Sequence, residues 1–263
     1  MNFERLTARS GGLAATRMRA KKGTEEFLIV PVHGWACRRG HWAGQLSLLS
    51  NFGEVLTLDL PGHGDSAQTP PLDATIVGMA EEIAALITAQ QGGREVILVG
   101  HSMGGAVVLE AARLMNKVRA VILIDTFVIP YGDLPEAMAE EIEQAFAADF
   151  VGAMQNLVDT NCREDLPAAL KAQLHHDMAS ADTSWALPLW GDLLRWQPQA
   201  ALAQSNISIN AINGGLISEE ARTRCAPYVK ETVLADAKHF PQLELPQAFN
   251  SALEKTMQTV TNA

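Results

Sequence analysis

The sequence predicts an α/β fold: a doubly wound, mostly parallel sheet with a block of helices inserted late in the chain. Three observations lead there. Short, nearly uniform apolar runs recur; stretches of helical period separate them; and between residues 130 and 205 the texture turns wholly helical. With 48% hydrophobic and 19% charged residues over 263 positions, the chain can bury one sizeable core, so global disorder is excluded.

The strands come first. Phe27-Leu28-Ile29-Val30-Pro31-Val32 stops at His33-Gly34, and Val55-Leu56-Thr57-Leu58-Asp59-Leu60 stops at Pro61-Gly62-His63-Gly64. Val96-Ile97-Leu98-Val99 and Ala120-Val121-Ile122-Leu123-Ile124 follow. Runs this short, β-branched and apolar on both faces suit central strands covered from two sides. Between them, Ala74 to Gln91 places Ile76, Met79, Ile83, Leu86 and Ile87 on one helical face, and Gly104 to Met115 reads as a largely buried helix. Strand-helix-strand repetition implies right-handed crossovers.

After Asp125 the composition becomes rich in Ala, Glu and Gln, with Pro135, Pro167, Pro188 and Pro198 as breaks and Trp185, Trp190 and Trp196 near the end. Ile207-Ser208-Ile209-Asn210-Ala211-Ile212 resumes the sheet, Thr232-Val233-Leu234 leads to His239, and an amphipathic helix closes the chain. No repeat or low-complexity linker separates the segments. The expected organisation is a core of residues 1–129 and 206–263, with 130–205 as a helical cap on the same domain.

A formal net charge of −10 lacks the basic footprint that nucleic-acid binding needs. Cys37, Cys162 and Cys225 are odd in number and scattered, which predicts neither a disulfide framework nor a zinc site. The first residues lack an apolar signal core, and no uncharged apolar run is long enough for a membrane span. The expectation is a cytoplasmic protein without metal or cofactor; oligomeric state is not legible.

The chemistry gathers at Gly100-His101-Ser102-Met103-Gly104. Gly-x-Ser-x-Gly alone is a weak signal. Here a four-residue apolar strand runs straight into it and a helix starts straight after, which is the strand-turn-helix setting of a nucleophile elbow. Small residues at Gly100, Gly104 and Gly105 permit the tight turn, and the helix N-terminus behind Ser102 favours developing negative charge. Ser102 is the candidate nucleophile.

With His33-Gly34-Trp35, Leu58-Asp59-Leu60-Pro61-Gly62-His63-Gly64-Asp65-Ser66, the Ser102 pentapeptide and His239-Phe240-Pro241-Gln242-Leu243-Glu244 in this order, the chain resembles the α/β-hydrolase superfamily over nearly its whole length. The resemblance implies that fold, with a helical cap after its sixth strand. It implies a serine esterase- or lipase-like activity with His239 as general base. Backbone N–H groups of Trp35 and Met103 would be the oxyanion donors. His33 and His63 would serve turns, His101 would point away from the serine, and His175 and His176 would lie on a solvated cap face.

The acid departs from the family pattern. The loop that usually supplies it reads Asn213-Gly214-Gly215-Leu216-Ile217-Ser218-Glu219-Glu220, and the expected position, near Ile217, is not acidic. Some members carry the acid after the strand that follows the nucleophile helix, where this sequence has Asp125. The alternatives are Glu219, Glu220 or no carboxylate partner for the histidine.

A serine nucleophile leaves acyl transfer to water from an ester, thioester or lactone. Phe146, Phe150, Trp185, Trp190 and Trp196 could wall a pocket for a small apolar or aryl ester, or could pack the cap. Trp35 could do either as well. Arg38 and Arg39 could meet a substrate carboxylate or form a solvated turn. Two other readings stay open: a cofactor-free dioxygenase of heteroaromatic rings using a His239–Asp125 dyad, and a ligand-binding receptor built on the hydrolase fold.

Overall fold

A computed structural model describes residues 2–6, 12–204 and 207–262. In chain order the first half contains β1 (Asn2–Leu6), β2 (Leu13–Met18), β3 (Phe27–Val32), α1 (Leu46–Leu49), β4 (Glu54–Leu58), α2 (Ile76–Gln90), β5 (Glu95–His101), α3 (Met103–Leu114) and β6 (Val118–Ile124). Five helices follow: α4 (Glu136–Ala148), α5 (Phe150–Asn161), α6 (Ala168–Ala179), α7 (Thr183–Arg195) and α8 (Gln199–Leu202). The chain then returns through β7 (Ser208–Asn213), α9 (Glu219–Cys225), β8 (Val229–Val233), α10 (Pro241–Glu244) and α11 (Pro246–Asn262).

The strands lie side by side in the order β1-β2-β4-β3-β5-β6-β7-β8. β1 and β2 pair antiparallel, as do β2 and β4, and every other pair is parallel. This is the doubly wound sheet that the apolar runs predicted. The two N-terminal strands are a finding the sequence did not yield. β2, Leu-Ala-Ala-Thr-Arg-Met, has three small or flexible residues where strands usually carry branched ones, so it lacks the signature of a central strand. Counting it and β1, the helical block begins after the sixth strand. The expected boundary at 205/206 lies outside the described residues.

Uniformly apolar strands make sense once both faces are followed. Leu28, Val30 and Val32 of β3, Val96 and Leu98 of β5 and Val121 and Leu123 of β6 join one apolar cluster with α2, α3 and the later helices. Their neighbours Phe27 and Ile29, Ile97 and Val99, and Ala120, Ile122 and Ile124 join a second cluster with α1 and α11. Each strand feeds two cores by simple alternation.

Register sets the working edge. Val32 pairs with Gly100, His101 with Ile124, Ile124 with Ile212 and Asn213 with Val233. The residues just past β3, β5, β6, β7 and β8 therefore collect at one end of the sheet, where ligands bind in open α/β folds. The described residues include no helix long and apolar enough to cross a membrane, and all three cysteines are free and buried.

Candidate active site

Ser102 sits between β5 and α3 with φ 53° and ψ −124°, a conformation that L-residues rarely adopt. The turn is held by packing too tight for side chains at its flanks. A Cβ on Gly100 would lie 2.4 Å from the Gly104 carbonyl oxygen, and one on Gly104 would lie 2.5 Å from that of His33. Ser102 N–H donates to the Ile124 carbonyl (2.9 Å), which ties the elbow to the next strand. The Gly-x-Ser-x-Gly spacing is thus a packing requirement.

His239 follows β8 and stands over the serine. Its Nε2 is 3.0 Å from Ser102 Oγ, and its Nδ1 is 2.7 Å from Asp125 Oδ2. Asp125 is fully buried in the left-handed region (φ 47°), which an aspartate tolerates better than most residues. Its other oxygen, Oδ1, accepts from Gly214 N–H (2.8 Å), and its own N–H reaches Asn213 Oδ1 (3.1 Å). The loop after β7, which has no acid of its own, thus supplies hydrogen bonds to the acid on β6. Glu219 and Glu220 are exposed in the first turn of α9, and the carboxylate at His239 Nδ1 is that of Asp125.

The backbone of His239 is fixed on both sides. Its N–H donates to the Asn161 carbonyl (3.0 Å), and its carbonyl accepts from His101 Nε2 (2.7 Å). His101 is fully enclosed, and burial keeps its imidazole well below the usual histidine range, hence neutral. It turns from the serine hydroxyl to the histidine loop, a role that sequence reasoning left unspecified. Glu244 braces the same loop: its carboxylate accepts from Lys238 N–H (2.5 Å) and Phe240 N–H (3.4 Å), the residues on either side of His239. The final Glu of His-Phe-Pro-Gln-Leu-Glu has this local task, and burial raises its own pKa.

The two expected oxyanion donors flank the serine. Met103 opens α3 and Trp35 follows the β3 turn; among the described residues neither backbone N–H is taken by a protein acceptor. Gly34 approaches so closely that a Cβ there would stand 3.1 Å from Ser102 Cβ. Trp35 both walls a cavity and packs: its ring stacks on Trp190 (centroids 4.4 Å, 13° apart) and its Nε1–H donates to the Ala186 carbonyl (3.0 Å).

The other motifs prove structural. His33 donates from Nδ1 to the Gly34 carbonyl (2.8 Å) and accepts Leu60 N–H at Nε2 (3.0 Å). His63 donates from Nδ1 to the Pro61 carbonyl (2.9 Å). Burial lowers both imidazoles to about 3. Buried Asp59 binds the Arg39 guanidinium and accepts the backbone N–H groups of Arg39 (2.6 Å) and Asp65 (2.8 Å). Arg38 reaches Asp65 and Asp177, so the arginine pair meets the chain's own carboxylates. His176 is exposed, and His175 is half-buried beside Asp159. Trp185, Trp190 and Trp196 are all buried.

A cavity of about 160 Å³ opens over Ser102 and His239. The sheet edge contributes Gly34, Trp35 and Phe240; the helical segment contributes Tyr131, Leu157, Asn161, Met178 and Trp190. No Lys, Arg, Asp or Glu lines it among the described residues.

Comparison with known proteins agrees with this architecture. The model of the alpha/beta hydrolase family matches residues 29–252. A dihydrolipoyllysine-residue acetyltransferase component of the acetoin cleaving system from Cupriavidus necator is 27% identical over 90% of this chain and 65% of its own length. A pimeloyl-[acyl-carrier protein] methyl ester esterase from Neisseria meningitidis is 30% identical over 61% of this chain and 58% of its own length. The chain thus spans less than two thirds of either curated relative. A thermophilic esterase from Thermogutta terrifontis superposes with a TM-score of 0.80 at 23% identity, covering 99% of this chain and 100% of that one. A putative aryl esterase from Burkholderia cenocepacia gives 0.78 at 20% identity, with full coverage of both chains (100% and 100%). The chain belongs to the alpha/beta hydrolase family.

Proposed function

We propose that the protein hydrolyses a small carboxylic ester, or a related thioester or lactone, through an acyl-enzyme on Ser102. The single observation that supports this best is the unbroken chain of Ser102 Oγ, His239 and Asp125 at 3.0 and 2.7 Å. In this reading His239 Nε2 takes the hydroxyl proton as Oγ attacks the carbonyl carbon. The N–H groups of Trp35 and Met103 receive the negative oxygen. The tetrahedral adduct then expels the alcohol, which takes the proton back from His239. Water repeats the sequence and releases the acid. Asp125 holds the tautomer with the proton on Nδ1 and stabilises the imidazolium. Residues 130–205 act as a cap that closes the cavity from above.

The test is covalent capture. A fluorophosphonate should add to Ser102, located by peptide mass spectrometry, and Ser102→Ala should abolish both the adduct and turnover of a 4-nitrophenyl ester. Full turnover by Ser102→Ala would sink the acyl-enzyme. Oxygen uptake with a hydroxylated heteroaromatic ring, and no adduct, would favour the dioxygenase reading instead.

A further inference from the structure

The cavity over Ser102 is small and carries a polar group that plain alkyl esters would leave unused. A void of about 150 Å³ lined by apolar side chains takes a molecule the size of benzene. At about 160 Å³, this one accommodates roughly six to eight non-hydrogen atoms. Most of its wall is hydrocarbon, yet Tyr131 lines it with a hydroxyl that makes no hydrogen bond among the described residues. The residue is 1% exposed. Its ring is clamped between Phe127 and Trp196, with centroids at 6.4 and 5.8 Å, so the hydroxyl has a fixed position.

Trp190 also lines the cavity, but its Nε1–H is fully enclosed and makes no hydrogen bond among the described residues, so it offers the cavity its ring rather than its N–H. Trp35 Nε1–H donates to the Ala186 carbonyl and Trp196 Nε1–H to Glu110. A hydroxyl held unpaired in a mostly apolar wall is answered by a ligand acceptor that enters the cavity. Burial also raises the Tyr131 phenol, so it remains a donor throughout the working range. With no cationic side chain in the wall, the answering group carries no negative charge.

We propose that the substrate is an ester whose buried part is short and bears a second, neutral oxygen acceptor (keto, ether or hydroxyl), held by the Tyr131 hydroxyl. Tyr131 is then a specificity-determining residue. The proposal rests on the ester-hydrolase reading of the same site.

The experiment compares matched 4-nitrophenyl esters in wild type and Tyr131→Phe: butyrate against methoxyacetate, and 4-methylhexanoate and pentanoate against their 3-oxo counterparts. A neutral hydrogen bond changes affinity by roughly three- to tenfold. At least one oxygen-bearing ester should therefore lose roughly three- to tenfold in kcat/KM in Tyr131→Phe, while its alkyl partner holds or gains. Taking the variant-to-wild-type ratio for each ester cancels the intrinsic reactivity of the oxygenated esters. Equal losses within every pair, or none, overturn the assignment of Tyr131, and a thermal melt matching wild type shows that the variant is folded. Ser102→Ala runs in parallel: turnover surviving there refutes the hydrolase reading, whereas turnover lost there with no pairwise selectivity in Tyr131→Phe refutes only this inference.

Discussion

Replacing Asp125 by Asn tests the acid assignment sharply, because the structure specifies which way the amide must turn. Asp125 accepts from two donors at once, His239 Nδ1–H on Oδ2 and Gly214 N–H on Oδ1. An asparagine has one acceptor and one donor end. If its oxygen keeps the Gly214 N–H, its NH₂ faces His239 and forces Nδ1 to be the unprotonated nitrogen. The proton then sits on Nε2, and His239 can no longer receive the serine proton. The opposite rotamer sets NH₂ against the Gly214 N–H in a fully buried place, leaving two donors unanswered. The fixed backbone donor therefore selects the inactive tautomer. A loss of about 10⁴-fold in kcat is expected, as for other triads with the wrong tautomer, equivalent to about 5 kcal/mol of barrier. The assay is steady-state hydrolysis of an aryl ester by the two proteins, with melting curves for each. Because the substitution is nearly isosteric, the melt should move little. A loss below about tenfold would refute Asp125 as the acid, and the Glu219→Gln and Glu220→Gln variants would then be examined.

Two further outcomes follow from geometry and burial. Ser102 at φ 53° and ψ −124° stores strain of about 1–3 kcal/mol; glycine relieves it at an entropic cost of about 0.5–1 kcal/mol, so Ser102→Gly should melt above Ser102→Ala by up to about 10 °C, and a glycine variant that melts below the alanine one would contradict the strain. His33 and His63 are lowered to about 3 from 6.5; the unfolded chain therefore binds more protons once pH drops below about 6.5, so the stability they contribute is complete above that pH and is lost as it falls toward 3, at up to about 1.4 kcal/mol per pH unit for each. Urea midpoints should already decline between pH 6.5 and 5, with a shallower slope in His63→Gln, and a flat profile across that window would exclude the effect.

The central strands were legible because each serves two cores and so is apolar over most of its length. Ser102 was legible because its glycines answer to packing: the carbonyls of Gly104 and His33 occupy the space a side chain would need. What the sequence left obscure depends on contacts across long separations or on the backbone. β2 pairs antiparallel with β4 through residues of weak strand character. Asn161 acts on His239 through its carbonyl, to which side-chain identity is blind. Tyr131 occurs just past β6 with no motif around it, and only the cavity gives it meaning. Asn213-Gly214 carried a usable signal: β7 ends beside β6, so the residues after Ile212 must lie beside the one after Ile124.

That neighbour relation also accounts for the placement of the acid. With Ile124 paired to Ile212, Asp125 and Asn213 leave adjacent strands side by side. A carboxylate on either strand could reach His239, but two there would repel in a buried place. A carboxylate just past β6 instead needs neutral or donor groups past β7: the Gly214 N–H donates to Asp125 Oδ1, and Asn213 Oδ1 accepts the Asp125 backbone N–H. Gly214 also has to be glycine for the histidine loop, since a Cβ there would lie 2.0 Å from the Lys238 carbonyl oxygen, one residue before His239. The loop that lacks an acid is therefore fitted to the carboxylate next door, and its Asn-Gly pair couples Asp125 to the segment carrying His239.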